Sequence, residues 1–121
     1  MLTGTCHCGA IRIDVPERPQ SLIACNCSIC RRNGALWALF ASGTVRIAGH
    51  PEHTTAYVWG ANTIKTMLCS TCGCFTHWES LRPDSGSRLG VNMRNFAPEE
   101  THSIRVRRFD GAVTWAYLDA E

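Results

Sequence analysis

All eight cysteines of this 121-residue chain fall in three short clusters. Cys6-His7-Cys8-Gly9 opens the chain, Cys25-Asn26-Cys27-Ser28-Ile29-Cys30 follows, and Cys69-Ser70-Thr71-Cys72-Gly73-Cys74 lies past the middle. No other feature limits the fold so strongly, because the rest of the chain must accommodate thiols crowded at three points. Closely spaced cysteines let two thiolates reach one tetrahedral ion at about 2.3 Å, and two such pairs complete a four-thiolate site. A disulfide framework instead spreads its cysteines to staple distant loops. The spacing therefore predicts bound metal, and thiolate-rich tetrahedral sites favour zinc.

The glycines indicate which clusters share an ion. Cys8-Gly9 and Cys72-Gly73 both end in Cys-Gly, whereas Cys30 is followed by Arg31. In a metal-binding knuckle the residue after the second thiolate turns with positive φ, which glycine adopts without steric cost. Two matched knuckles predict one closed structural site of Cys6, Cys8, Cys69 and Cys72. Cys25, Cys27 and Cys30 remain as a second site, and three protein ligands with a free fourth position are the pattern of a catalytic zinc. Cys74 has three readings: the fourth ligand that closes the second site, a buried cysteine acting as a small hydrophobe, or a redox-active thiol beside positive charge.

The length predicts a single domain over residues 1–121. A net charge of +2 does not imply a nucleic-acid partner. Lys65 is the only lysine, so the positive charge is nearly all arginine, which binds carboxylates and phosphates through two parallel hydrogen bonds. Arg31 and Arg32 either hold a substrate carboxylate or offset the charge of the neighbouring thiolates. The opening six residues lack a basic region followed by an apolar core, so no signal peptide is expected. No apolar run approaches the roughly 20 residues that span a bilayer. Together with reduced thiols, this predicts a cytoplasmic protein.

Apolar and polar residues alternate, or aromatic and β-branched residues cluster, over 10–15, 21–24, 36–41, 44–47, 54–59, 63–68, 75–78, 88–93, 104–107 and 113–117. These stretches read as strands separated by Gly-, Pro- and Asn-containing turns. Residues 28–33 predict one helical turn with Ser28 as its N-cap and Gly34 at its end, pointing backbone N–H groups at the thiolates. Residues 98–100 predict another turn. Loops are expected at 60–62 and 82–86. No stretch has a helical apolar period, so the fold is expected to be mainly β.

His7 is expected on the surface or behind the ligands. His77 either faces the second metal as ligand or proton carrier, or is a hydrogen-bonded structural histidine beside Trp78. His50, His53 and His102 read as loop residues. Trp37, Trp59, Trp78 and Trp115 read as core, and Asn92-Met93-Arg94 as a pocket border.

These clusters resemble the glutathione-dependent formaldehyde-activating enzyme family, which includes the centromere protein V relatives. Its Gly-x-Cys-x-Cys-Gly pattern is matched by residues 4–9, its Cys-x-Cys-x-x-Cys-Arg by residues 25–31, and its Cys-x-x-Cys-Gly by residues 69–73. Order, spacing and length all match. The resemblance implies a zinc-stabilised β-sandwich of the guanine-exchange-chaperone type. It implies structural zinc at Cys6, Cys8, Cys69 and Cys72 and a reactive site at Cys25, Cys27 and Cys30. It also implies a carbon–sulfur lyase, with glutathione or another thiol condensing with an aldehyde as in S-hydroxymethylglutathione formation. The competing class is a non-catalytic zinc-binding module for protein or nucleic acid, which a basic stripe with exposed aromatics would favour.

Overall fold

In a computed structural model, which describes residues 1–60, 62–84 and 86–119, the chain is mainly β. Ala61 and Ser85, inside two expected loops, lie outside the described residues. The strands in chain order are β1 (Leu2–Thr5), β2 (Arg12–Val15), β3 (Ser21–Cys25), β4 (Trp37–Ala41), β5 (Arg46–Ala48), β6 (Thr54–Tyr57), β7 (Ile64–Cys69), β8 (Phe75–Ser80), β9 (Arg88–Asn92), β10 (Arg105–Asp110) and β11 (Ala116–Tyr117). Two short helices, α1 (Cys30–Asn33) and α2 (Pro98–Thr101), and one 3₁₀ turn at Met93–Asn95 complete the described elements.

The strands form two sheets. β1, β2 and β5 make a small antiparallel sheet. The large sheet runs β11-β10-β3-β4-β9-β8-β7-β6, an open order with β11 and β6 as its edges. Among the described residues its one parallel pair is β3 with β10, which places Phe109 opposite Cys25. Ile13 and Val15 from the small sheet, Ile11 just before β2, and Leu22, Ala38, Phe40, Leu89 and Val91 from the large sheet share one core. In β2 the alternation is direct, with Ile13 and Val15 buried and Arg12 exposed. β9 is buried from Leu89 to Asn92, as a strand covered on both faces must be.

The structure moves several expected boundaries. Residues 113–117 do not form one strand: only Ala116–Tyr117 pairs. The Asp110 carboxylate captures Val113 N (3.3 Å), Thr114 N (3.1 Å) and Thr114 Oγ1 (2.8 Å), folding that segment into a turn. Ser28 does not cap α1. The preceding position is Ile29, and the Cys30 N–H points at Cys27 Sγ (3.5 Å), so sulfur takes the acceptor role expected of the hydroxyl. β1 had no expected counterpart; its Gly4 lies so close to Phe96 that an added Cβ would come within 2.7 Å of the ring. Trp59 and Trp115 are 39% and 73% exposed, which removes both from the core.

Candidate functional site

The three cysteine clusters become two thiol groups. Cys6 and Cys8 follow β1, and Cys69 ends β7 with Cys72 in the turn after it. The four Sγ atoms all lie within 4.8 Å of one another, with Cys6–Cys8 at 3.8 Å and Cys8–Cys69 at 3.6 Å. A tetrahedron with bonds of about 2.3 Å has edges of about 3.8 Å, so the sulfurs already sit at the separation zinc requires. Gly9 and Gly73 have φ of 84° and 79°, the positive values both knuckles need. Ile11 N donates to Cys6 Sγ at 3.3 Å.

The protonation behaviour of this group fits a cation. The N–H groups of Cys74 and Cys8 hold Cys72 far below the usual thiol range, at about 5. Those of Cys72 and Thr71 lower Cys69. Cys8 gains from the Ala10 N–H, but desolvation and the sulfurs of Cys69, Cys6 and Cys72 push it up to about 11. Only a positive ion among them would let all four sulfurs be thiolates at this separation.

The second group is Cys25 at the end of β3, Cys27 in the loop, and Cys30 opening α1, again with all three Sγ atoms within 4.8 Å. Cys27 N donates to Cys25 Sγ (3.4 Å) and Cys30 N to Cys27 Sγ (3.5 Å), so the expected N–H groups do point at sulfur. The Trp37 indole N–H donates to Cys30 Sγ at 3.3 Å. Desolvation raises Cys25, and burial raises Cys30 despite that indole. Cys27 is lowered: desolvation opposes its charge, but the Cys30 N–H and the flanking thiols outweigh it. The donor set fits one zinc with three protein sulfurs, all half-buried.

The loop is clamped by the end of β10. Asn26 Nδ2 donates to Asp110 Oδ1 (3.0 Å), and Ala112 N donates to Asn26 Oδ1 (3.0 Å). Asp110 sits below its usual carboxylate range because the Asn26 side chain, then Thr114, hydrogen-bond to its charged form. Gly111 passes so close that an added Cβ would lie 2.6 Å from Cys25 Sγ and 3.2 Å from Cys27 Cβ.

Cys74 is not brought to the second group. Its thiol faces the His7 N–H, with Cys72 and Cys6 nearby. His7 itself is exposed. Arg31 and Arg32 are both exposed; Arg32 Nη1 donates to Ser28 O at 2.7 Å and lines a hollow of about 290 Å³ with Ser28, Ile29, Tyr57 and Trp59. The cysteines border that hollow in sequence but do not line it. Asn92 is buried and accepts from Leu36 N just before β4 and from Arg94 N in the 3₁₀ turn. His77 is fully buried, with Thr76 Oγ1 2.9 Å and Glu79 Oε2 3.1 Å from its ring nitrogens, and lies outside the second thiol group.

Sequence reasoning missed Trp37 as a sulfur partner, Asn26, Asp110 and Gly111 as the clamp, and His50 as more than a loop residue. Only Trp37 carried a usable signal, since a buried indole N–H must find an acceptor.

Comparison with known proteins gives matches of three kinds. The model of the family "Glutathione-dependent formaldehyde-activating enzyme" matches residues 1–108. A protein of Halomonas elongata, provisionally named a glutathione-dependent formaldehyde-activating enzyme, is 41% identical over 63 residues. That match covers 47% of this chain and only 40% of the relative's length. A crystal structure of a Rhodobacter sphaeroides protein is similar with a TM-score of 0.69 and 32% identity, covering 87% of this chain and 99% of that one.

Proposed function

The chain belongs to the glutathione-dependent formaldehyde-activating enzyme family, and from that premise we propose that it is a zinc-dependent carbon–sulfur lyase. It joins a thiol such as glutathione to a small aldehyde, or releases the two. The S–C bond forms as the thiol adds to the carbonyl carbon, and the thiol proton ends on the former carbonyl oxygen. In this reading residues 1–121 act as one domain with two zinc sites.

One observation carries the proposal: three half-buried sulfurs converge at Cys25, Cys27 and Cys30, while Cys74 stays beside the other group. Three protein ligands leave a position for a substrate thiol. Cys25, Cys27 and Cys30 would hold the zinc, which when bound would supply a lowered pKa to that thiol. Cys6, Cys8, Cys69 and Cys72 have a structural role. The N–H groups of Cys27, Cys30 and Trp37 orient the sulfur lone pairs of the reactive group. Arg32, beside Tyr57 and Trp59, offers a cation and two aromatic faces to the carboxylate-bearing end of the thiol. Arg31, exposed on the same turn, is available to a second carboxylate.

The test is an aldehyde-plus-thiol reaction followed by NMR. Wild-type protein is expected to accelerate adduct formation or breakdown. Cys27→Ser is expected to keep the fold and lose at least about tenfold in rate, a barrier change of about 1.4 kcal/mol. No acceleration by wild type with any of several thiols would leave the non-catalytic zinc module as the better reading.

A further inference from the structure

Away from both thiol groups, His50, His77 and Glu79 converge. His77 and Glu79 lie two residues apart on β8 and share a face, with Lys65 of β7 opposite Glu79. His50 enters from the turn before β6, its ring edge-on to His77 with centroids 4.7 Å apart. The pairing shifts at Met67/Leu68, so that Leu68 faces Phe75 and Met67 faces His77. Thr76 is therefore the extra residue of a β-bulge, and bulges re-aim neighbouring side chains.

The hydrogen bonds of this cluster accommodate a tautomer in which both histidines carry their proton on Nδ1. Thr76 Oγ1 donates to Met67 O (3.3 Å) and lies 2.9 Å from His77 Nδ1. Thr54 Oγ1 donates to Pro51 O (3.4 Å) and lies 2.7 Å from His50 Nδ1. A hydroxyl has one hydrogen. With it given to a carbonyl, each threonine oxygen accepts from Nδ1–H, and each neutral ring then presents a bare Nε2 lone pair. Both lone pairs face the same carboxylate oxygen, Glu79 Oε2, at 3.1 Å from His77 and 3.3 Å from His50. In that tautomer three acceptors meet, and they repel unless a cation lies between them. Protonating His77 is opposed by burial, which lowers its pKa to about 4 despite Glu79.

We propose that His50 Nε2, His77 Nε2 and Glu79 Oε2 form a third metal site, which takes one divalent first-row transition ion of the zinc or cobalt class. Bonds of about 2.0–2.1 Å in a tetrahedron give ligand–ligand edges of about 3.3–3.4 Å, close to the two separations above. Two imidazoles and one carboxylate suit such an ion better than magnesium or calcium. Lys65 Nζ holds Glu79 Oε1 at 3.2 Å, so the carboxylate presents Oε2 alone. The two threonines orient the rings from behind, as partners of metal-bound histidines do. The site contains no sulfur, so it stands independently of the thiol chemistry proposed above.

Cobalt distinguishes it. The reduced full-length chain, saturated with Co²⁺ and freed of excess, is expected to hold three equivalents. Two of them give sulfur-to-cobalt charge transfer, and the third gives only ligand-field bands. Glu79→Gln and His50→Ala are each expected to lose the sulfur-free equivalent and keep the charge-transfer intensity. Thr54→Val is expected to weaken that ion by about 10–100-fold. Should these variants fail to fold, wild type alone decides through its stoichiometry and through the imidazole ¹⁵N spectrum of the zinc-loaded protein. Nδ1–H with a metal-shifted Nε2 on both rings supports the site. Saturated wild type with no sulfur-free equivalent, or with Nε2–H on both rings, overturns it. Loss of charge transfer with the sulfur-free equivalent retained would instead count against the thiolate sites alone.

Discussion

At Gly111 a single methyl group is the difference between a formed and a distorted second cluster. The added Cβ would stand 2.6 Å from Cys25 Sγ, inside any normal contact distance, so either the sulfur or the turn must move. Gly111→Ala is expected to cost about 1–3 kcal/mol by overpacking. It should weaken cobalt binding at Cys25, Cys27 and Cys30 and leave the Cys6–Cys72 group filled. Equal loss at both groups in a cobalt titration would show that the contact is not local. The partition of seven cysteines could be read from spacing and from Gly9 and Gly73, because a knuckle is a local structure. The surroundings of Cys74 could not, because the His7 N–H that it faces lies far off in sequence. His50 was opaque for the same reason: it meets His77 and Glu79 only after β6, β7 and β8 have paired.

Among the elements, the parallel pair β3 and β10 matters most to the second cluster, because it brings Asp110 to the cysteine loop. Asp110 is held below its ordinary value of 3.8, first by Asn26 and then by Thr114. Such a group stabilises the fold above its unfolded pKa and loses that contribution as pH falls through the lowered folded value. An NMR titration is expected to place the Asp110 midpoint below 3.8, and Asn26→Ala is expected to move it upward. An unmoved midpoint would mean that the clamp does not act through this hydrogen bond. Most strands were legible as alternation, since each buries one face locally. The 113–117 segment read as a strand because its residue types suit one, but a carboxylate outside it captured its backbone. The start of α1 was misread because a thiol occupies the role that sequence rules give to serine.

Across the whole molecule the mainly β character follows from the sequence pattern, while the order of strands in the large sheet does not. β10 inserts beside β3 from far along the chain, and no local signal encodes that. The two thiol groups differ in the same respect. Cys25, Cys27 and Cys30 lie within one six-residue stretch, whereas Cys8 and Cys69 are 61 positions apart. By ring-closure entropy, bringing together the distant pair costs about 2 kcal/mol more than closing the local one, roughly a thirtyfold disadvantage. Limiting cobalt added to the reduced, denatured chain should therefore populate the local trio first, so that Cys27→Ser removes most of the early charge-transfer signal. Early signal that survives Cys27→Ser but disappears in Cys69→Ser would contradict this order. With metal bound in that order, the spacing of the clusters along the chain would act as a clock for maturation. The local trio would capture an ion while the polypeptide is still shapeless, and the split quartet would accept one only as the sheets close, so that its occupancy would record that folding has finished.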